Sequence, residues 1–270
     1  MTATELLDIA LEAATAAGAL LASAERPQVL STKSSPTDVV TQMDRAAEAL
    51  ITRTIRAARP DDAFLAEESG AAGEGASGVR WVIDPLDGTV NYLYGLQDWA
   101  VSIAAEVDGT VVAGVVEVPT RGETFSAVRG RGAWLDSAGG RRELRCGPGP
   151  ELSQALVATG FGYRAERRRV QGEVVAALLP RIRDIRRAGS AAVDLCNVAA
   201  GRVDGYYERG LNPWDYAAGG LVAEEAGAVV AGLHGEAAST SMAIAAGQKL
   251  YPLLAGALAD LNPLRDEPAN

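Results

Sequence analysis

Histidine is nearly absent from this 270-residue sequence: His234 is its single example. A Ser-His-Asp or Cys-His site, or a histidine-built zinc centre, would have to use that residue or do without. Only two cysteines occur, Cys146 and Cys196, without metal-ligand spacing or a disulfide framework, which suits a reducing cytosol. Lys33 and Lys249 are the sole lysines; every other basic residue is arginine, which with the heavy use of alanine reads as coding bias. Basic residues are outnumbered 25 to 35 by acidic ones, for a net charge of −10. That balance argues against nucleic acid as a main partner and against docking on anionic membrane. Long apolar runs are missing too. The N-terminal stretch has acids at Glu5, Asp8 and Glu12 and no basic segment, so it is read neither as a signal peptide nor as a membrane span. A cytoplasmic protein is expected.

What is present is the mix of an ordinary globular protein, 48% apolar and 22% charged, long enough to bury a sizeable core unaided. With histidine and cysteine so scarce, carboxylates are the abundant reactive groups. Leu6, Leu7, Ala10, Leu11, Ala14 and Ala17 recur at helical spacing and predict an amphipathic first helix. A second helix is expected over 42–58, where Thr41 and Asp44 form a capping-box signal and Pro60 stops the run. A short strand is expected over 63–66, and the Gly/Ala/Ser stretch 70–78 reads as a flexible surface loop. Trp81-Val82-Ile83 reads as a buried strand running into Asp84, and Asp108-Gly109 as a hairpin turn within 99–118. Strand 124–128 and a further strand after Arg129–Trp134 follow.

Beyond about Arg141 strands and helices alternate: strands near 156–159, 182–185, 203–207 and 228–231, and helices over 164–179, 190–200 and 214–226. The expected fold class is therefore α/β, an α+β half (1–143) fused to an α/β half (144–270), with the boundary in the Gly/Pro-rich stretch 140–149. The arginine-rich run Arg164–Arg169 reads as a solvated face or an oligomer contact, Cys196 as core, His234 as a solvent-facing turn residue, and 262–270 as a frayed tail.

Four acidic segments could carry chemistry. In Asp84-Pro-Leu-Asp87-Gly-Thr89-Val-Asn91, a strand ends in two carboxylates followed by Gly-Thr at a helix start. Hard cations such as Mg²⁺ prefer such oxygen ligands, and helix-start amides suit phosphate. The same pattern alone also fits a strand-to-helix turn with Asp capping. Glu67-Glu68 follows another apolar strand, and would otherwise be a solvated loop. Asp215, in Asn212-Pro-Trp-Asp-Tyr-Ala-Ala-Gly219, could equally be a helix cap, as could Asp44 in Asp38-Val-Val-Thr41-Gln-Met-Asp44.

Taken in this order, D-x-x-T-x-x-D, E-E-S-G, W-V-I-D-P-L-D-G-T-x-N and P-W-D-Y-A-A-G resemble the inositol monophosphatase family from about Lys33 to Val230. The resemblance implies a layered αβαβα sandwich of the sugar-phosphatase type, a homodimer, and sensitivity to lithium. It implies a Mg²⁺-dependent phosphomonoesterase with two or three ions. Glu67, Asp84 and the Leu86 carbonyl would hold one ion; Asp84, Asp87 and Asp215 would hold a second; a third would lean on Glu67 and waters. Glu67 and Thr89 would orient the attacking water, with Asp44 behind Thr89. The Gly88 and Thr89 amides would hold phosphate, and Asp87, Glu208 and the amide near Ala191 would contact polyol hydroxyls. The expected substrate is an inositol monophosphate, a small phosphorylated polyol; histidinol phosphate, fructose 1,6-bisphosphate, a 3′-phosphonucleotide, or a non-enzymatic regulatory role are the alternatives. Asn91 favours inositol phosphates. Ala66, Tyr94, Gln97, Pro213 and Gly247 depart from the family's usual residues without removing a ligand.

Overall fold

The computed structural model describes residues 2–24, 29–32, 39–72 and 75–265. Lys33, where the resemblance begins, Asp38 of the first motif, and the end of the tail from 266 to 270 lie outside the described residues. The first half opens with α1 (Ala3–Ala22), β1 (Val29–Thr32), β2 (Val39–Thr41) and α2 (Gln42–Ala58). Next come β3 (Ala63–Ala66), β4 (Gly70–Ala72), β5 (Val79–Asp87) and α3 (Thr89–Tyr94). An antiparallel run follows: β6 (Ala100–Val107), β7 (Thr110–Val118), β8 (Glu123–Val128), β9 (Ala133–Asp136) and β10 (Arg142–Glu143). The second half contains β11 (Leu156–Thr159), α4 (Ala165–Leu178), β12 (Asp184–Arg186), α5 (Ala191–Ala199), β13 (Gly205–Glu208), α6 (Pro213–Glu225), β14 (Ala228–Ala231), β15 (Ala243–Gly247) and α7 (Leu250–Ala259).

Local chemistry explains most boundaries. Thr41 accepts from the amides of Met43 and Asp44 while Asp44 accepts the Thr41 amide, so α2 begins with a reciprocal capping box. The β6–β7 turn places Asp108 at φ 49° and Gly109 at φ 77°, the left-handed pair that a tight right-twisted hairpin needs. Ser190 caps α5 through the Val193 amide.

The strands form an eight-stranded sheet, in the order β10-β9-β8-β7-β6-β5-β3-β4, and a five-stranded sheet, β12-β11-β13-β15-β14. β1 and β2 pair separately. In the large sheet only β3 and β5 run parallel. In the small sheet β11 is parallel to both β12 and β13, whereas β15 is antiparallel to β13 and β14. Helices α1 and α2 cover one face of the large sheet; α5 and α6 lie between the two sheets; α4 and α7 cover the far face of the small one. The result is the expected αβαβα sandwich.

Its three apolar interfaces are distinct cores. Leu6, Ala10, Ile51 and Trp81 belong to the first, Val116, Phe125, Leu195 and Leu221 to the second, and Val174, Leu178, Ile244 and Leu254 to the third. The middle core draws on both halves of the chain, because α5 and α6 pack against β7 as well as against the small sheet.

Some expectations change. Residues 70–72 form edge strand β4, antiparallel to β3, instead of a flexible loop: three successive backbone pairings override the Gly/Ala composition. β5 does not stop at Asp84 but continues through a bulge to Asp87. β15 and α7 lie beyond the last expected element. Cys146 and Cys196 are both free, Cys196 is fully buried, and His234 is exposed.

Candidate active site

The β5 strand builds the centre. Its apolar residues Trp81, Val82 and Ile83 are fully buried, which fixes the strand's depth between helical layers. Pairing with β6 then slips: Asp84 stands opposite Ser102 and Asp87 opposite Ala100, so three steps on β5 meet two on β6. Pro85 sits in this bulge, where its missing N–H leaves no ladder bond unmade. The bulge kinks the strand end and brings Asp84 and Asp87 to one cavity, and Asp84 Oδ1 fixes the turn by accepting the Leu86 amide at 3.0 Å. Gly88 follows at φ +91°, where a Cβ would lie 2.8 Å from the Asp98 carbonyl, so a glycine is required.

Parallel pairing of β3 with β5 delivers Glu67. Ala66 pairs with Ile83, and the Glu67 amide donates to the Ile83 carbonyl at 3.1 Å, setting Glu67 next to Asp84. Asp215 arrives from the first turn of α6, where its Oδ2 accepts the Asn212 amide at 2.6 Å. Glu208 comes from the end of β13. Asp87 is anchored to α5 by the Ser190 hydroxyl (2.6 Å) and the Ala192 amide (2.7 Å). Strand ends and helix starts from both halves thus converge, the usual location of ligand sites in α/β sheets.

These groups line one cavity of ≈ 330 Å³: Glu67, Asp84, Leu86, Asp87, Gly88, Thr89, Ala191, Glu208 and Asp215. Asp44 is buried just behind it and accepts the Thr89 hydroxyl at 3.0 Å. Glu67, Asp84, Leu86, Asp87, Gly88, Thr89, Ala191, Glu208 and Asp215 therefore meet with Asp44 at one place, whereas Glu68 lies outside that cavity and Asp38 lies outside the described residues. The Thr89 hydroxyl is also within 3.1 Å of the Leu86 carbonyl. The capping reading of Asp44 and Asp215 holds as well: each caps its helix through one oxygen. For Asp44 the other oxygen takes Thr89, so capping and a place at the site coexist in one side chain.

The electrostatics are strained. Burial pushes Asp84 well above the ordinary carboxylate range, and Glu67, Asp87 and Asp215 push it further. Asp215 is likewise raised by burial, Asp87 and Glu67. Burial raises Asp87 to about 6 despite the bonds from Ser190 and Ala192. Glu208 rises to about 7, again by burial, although the Tyr206 hydroxyl (2.8 Å) and Arg187 favour its charge. Asp44 is raised by burial against the bonds from Thr41 and Thr89.

Among the described residues no three of these side chains stand as a ready-made metal cage. The donor chemistry nevertheless fits hard cations: carboxylates and a carbonyl oxygen share one cavity, and the carboxylates disfavour one another's charge. Cations there, completed by water, would relieve that repulsion.

Sequence reasoning missed several members of the wall. Trp214 lines the cavity, and its buried Nε1 has no partner among the described residues. Arg187 faces both Asp87 and Glu208 and lowers the proton affinity of each. Its only sequence signal was a basic residue just ahead of the Gly189-Ser190 helix start. Arg164 and Arg167, read from the sequence as a solvated face or oligomer contact, line the cavity together with Arg209.

Both the sequence and the fold match known proteins. The sequence profile of the inositol monophosphatase family matches residues 2–262. An inositol-1-monophosphatase of Mycobacterium bovis is 50% identical over 202 residues, covering 73% of this chain and 70% of its own. An Escherichia coli K12 protein named Nus factor SuhB is 44% identical over 233 residues, 85% and 86% of the two chains. The solved structure of Mycobacterium tuberculosis SuhB is similar with a TM-score of 0.81 at 42% identity, covering 97% of this chain and 98% of that one. With the family's profile matched over nearly the whole length and its fold reproduced, the chain belongs to the inositol monophosphatase family, whose members are generally metal-dependent, and is a phosphoric monoester hydrolase.

Proposed function

We propose that the protein hydrolyses an inositol monophosphate to inositol and inorganic phosphate with Mg²⁺ as cofactor. The observation that carries this reading is the meeting, in one cavity, of Glu67, Asp84, Asp87 and Asp215 with the Thr89–Asp44 pair. Glu67, Asp84 and the Leu86 carbonyl would hold one ion, Asp84, Asp87 and Asp215 a second, and Glu67 with waters a third. When bound, Mg²⁺ supplies Lewis acidity that offsets phosphate charge and lowers the pKa of water.

The protein's own groups then position the reaction. Because the Thr89 hydroxyl donates its hydrogen bond to Asp44, its lone pairs are left to accept a hydrogen bond from the attacking water. Glu67 accepts the other. The water oxygen attacks phosphorus in line as its proton passes to the Glu67 carboxylate, the P–O bond to the inositol breaks, and the departing oxygen takes up a proton from a solvent water while Glu67 returns its own to solvent. The amides of Gly88 and Thr89 hold the phosphate. Glu208 and Asp87 accept hydroxyl hydrogens of the ring, Asp87 through Oδ1 since Oδ2 already holds Ser190 and Ala192. The Ala191 and Ala192 amides bond Asp87 and so support this contact by holding that carboxylate in place.

Phosphate release from inositol 1-phosphate, measured with and without Mg²⁺, tests the reading; absence of Mg²⁺-dependent turnover on any phosphomonoester overturns it. The same reading makes the protein a cytoplasmic homodimer inhibited by lithium, in keeping with its two free thiols and with the absence, among the described residues, of a helix long and apolar enough to cross a membrane. Sedimentation and lithium titration check these points.

A further inference from the structure

Residues 262–265, expected from the sequence to fray, are instead tied back onto the second half of the molecule. Helix α7 ends at Ala259, and Asn262 takes a left-handed φ of 45°, which a non-glycine residue adopts where a turn requires it. Arg265 closes the turn: its Nη1 donates to the carbonyls of Leu261 (3.0 Å) and Asn262 (2.8 Å), and its Nη2 pairs with Glu173 of α4. Leu264 packs on the third core, and Pro263 is buried.

The turn meets the wall of the active-site cavity at one residue. Nη1 of Arg209 donates to the Pro263 carbonyl. Arg209 is 3% exposed, lines the cavity, and directly follows Glu208 at the end of β13. Pro263 faces Glu208, Tyr207 and Met242 across a void of only ≈ 10 Å³, room for one water at most.

The end of β13 is where the sheet's own support runs out. Tyr207 is paired on both sides, with Thr159 of β11 and Ile244 of β15, and its carbonyl also accepts the Thr159 hydroxyl at 2.8 Å. Glu208 is paired with Ala243 of β15 alone and has no counterpart on β11. The next main-chain anchor is the Gly210 amide on the Thr240 carbonyl at 2.7 Å. Between these points the Arg209 side chain ties the strand end to a third element, the 262–265 turn. A guanidinium taken out of water must keep its acceptors, so withdrawing the Pro263 carbonyl lets Arg209 turn elsewhere and frees the Glu208 end of the strand.

We propose that the 262–265 turn is a positioning element for substrate binding: through Arg209 it holds the Glu208 carboxylate in place at the polyol end of the cavity. No residue of the turn touches substrate. The proposal rests on the phosphatase reading, in which Glu208 accepts hydroxyl hydrogens of the ring. The carboxylates assigned to Mg²⁺ come from the ends of β3 and β5 and from α6, so a loosened turn weakens the hold on the polyol and spares the phosphate.

The test compares the full chain with a chain ending at Leu261, with one ending at Arg265, and with R265A, which removes the two carbonyl bonds and the Glu173 pair. KM and kcat for inositol 1-phosphate are measured together with the inhibition constant of inorganic phosphate and thermal unfolding. In the chain ending at Leu261, KM is expected to rise about tenfold, with kcat and the phosphate constant within about twofold of the full chain. R265A is expected to shift KM the same way by about threefold, and the chain ending at Arg265 to match the full chain. An unchanged KM in the chain ending at Leu261, a parallel loss in kcat and phosphate binding, or an equal effect in the chain ending at Arg265 overturns the positioning role and leaves the phosphatase reading intact. Should the chain ending at Leu261 not fold, R265A decides, and an unchanged KM there overturns the proposal. Absence of Mg²⁺-dependent turnover of any phosphomonoester by the full chain overturns both.

Discussion

The hydroxyl of Thr89 donates to Asp44 Oδ1 at 3.0 Å, joining the start of α3 to the first turn of α2, while Asp44 Oδ2 caps α2 through the Thr41 amide at 2.8 Å. One buried carboxylate thus sets a helix start and the orientation of a hydroxyl in the cavity wall. Replacing Thr89 with Val keeps the side-chain shape and removes the hydroxyl. The expected result is a loss of about 10²-fold in kcat with little change in KM, a stability cost of about 1–3 kcal/mol because buried Asp44 Oδ1 loses its donor, and recovery of both in large part in Thr89→Ser. Steady-state kinetics alongside thermal unfolding check this.

Asp84→Asn is expected to abolish turnover without unfolding the protein, since the amide oxygen can still accept the Leu86 N–H that Asp84 Oδ1 accepts now. Removing one of several mutually repelling carboxylates also predicts a metal-free variant at least as stable as the wild type at pH 8. Retained activity contradicts the role given to Asp84.

The metal-free protein is expected to lose stability as pH rises. Asp194, 2% exposed, is raised to about 8, first by burial and then by Glu208 and Asp87; Glu208 itself is raised to about 7 and Asp87 to about 6. Each binds its proton more tightly in the folded than in the unfolded chain. Their contribution is complete below the unfolded carboxyl pKa near 4, is lost as pH climbs through the folded values, and levels off above about 8. The slope reaches about 1.4 kcal/mol per pH unit for each such group. Urea unfolding at pH 5, 6.5 and 8 in chelator measures it; stability increasing over that range refutes the assignment. Mg²⁺ should offset the loss at the alkaline end.

Gly88→Ala combines a left-handed φ of +91° with a Cβ 2.8 Å from the Asp98 carbonyl and 3.3 Å from the Gly189 carbonyl. A destabilisation of more than about 2 kcal/mol is expected, with loss of activity even in the folded fraction. Denaturant unfolding and activity per folded molecule separate the two effects.

Glu48, 7% exposed, accepts the Glu68 amide through Oε2 at 2.8 Å and so ties α2 to the loop bearing Glu67. Glu48→Ala leaves that amide without its partner, at a cost of about 1–3 kcal/mol. Its expected signature is a higher Mg²⁺ requirement, with Glu48→Gln recovering most of the wild-type behaviour. A Mg²⁺ titration of activity that is unchanged in Glu48→Ala rules this out.

Elements with strong local signals were legible in the sequence. The Thr41–Asp44 box marks the start of α2 at Gln42, and Asp108-Gly109 marks the β6–β7 turn. β15 and α7 were not. The strand Ala243-Ile-Ala-Ala-Gly is buried at every position, so it shows no alternation, and α7 follows Lys249 as N-cap residue with no side-chain cap bond and carries Pro252 and Gly256. β4 was hidden for a different reason: its Gly-Ala-Ala composition carries no strand preference, and only pairing with β3 makes it one.

At the site, the sequence by itself determined the donor types, the caps and the turn at Asp84–Thr89, because those depend on contacts within a few residues. It could not show that Glu67, Asp84, Asp215 and Glu208 share one cavity. Their meeting depends on parallel pairing of β3 with β5, on the one-residue bulge opposite Ser102, and on α6 packing between two sheets. Nor could it show that Arg164 and Arg167 turn toward that cavity: helix α4 has polar residues on more than one face, so periodicity does not say which arginines meet solvent. The docking of α4 on the small sheet and the space left by Gly162 and Gly210 decide it. Local chemistry specifies which groups are available, and burial of apolar faces between layers, which acts over the whole chain, specifies which of them meet.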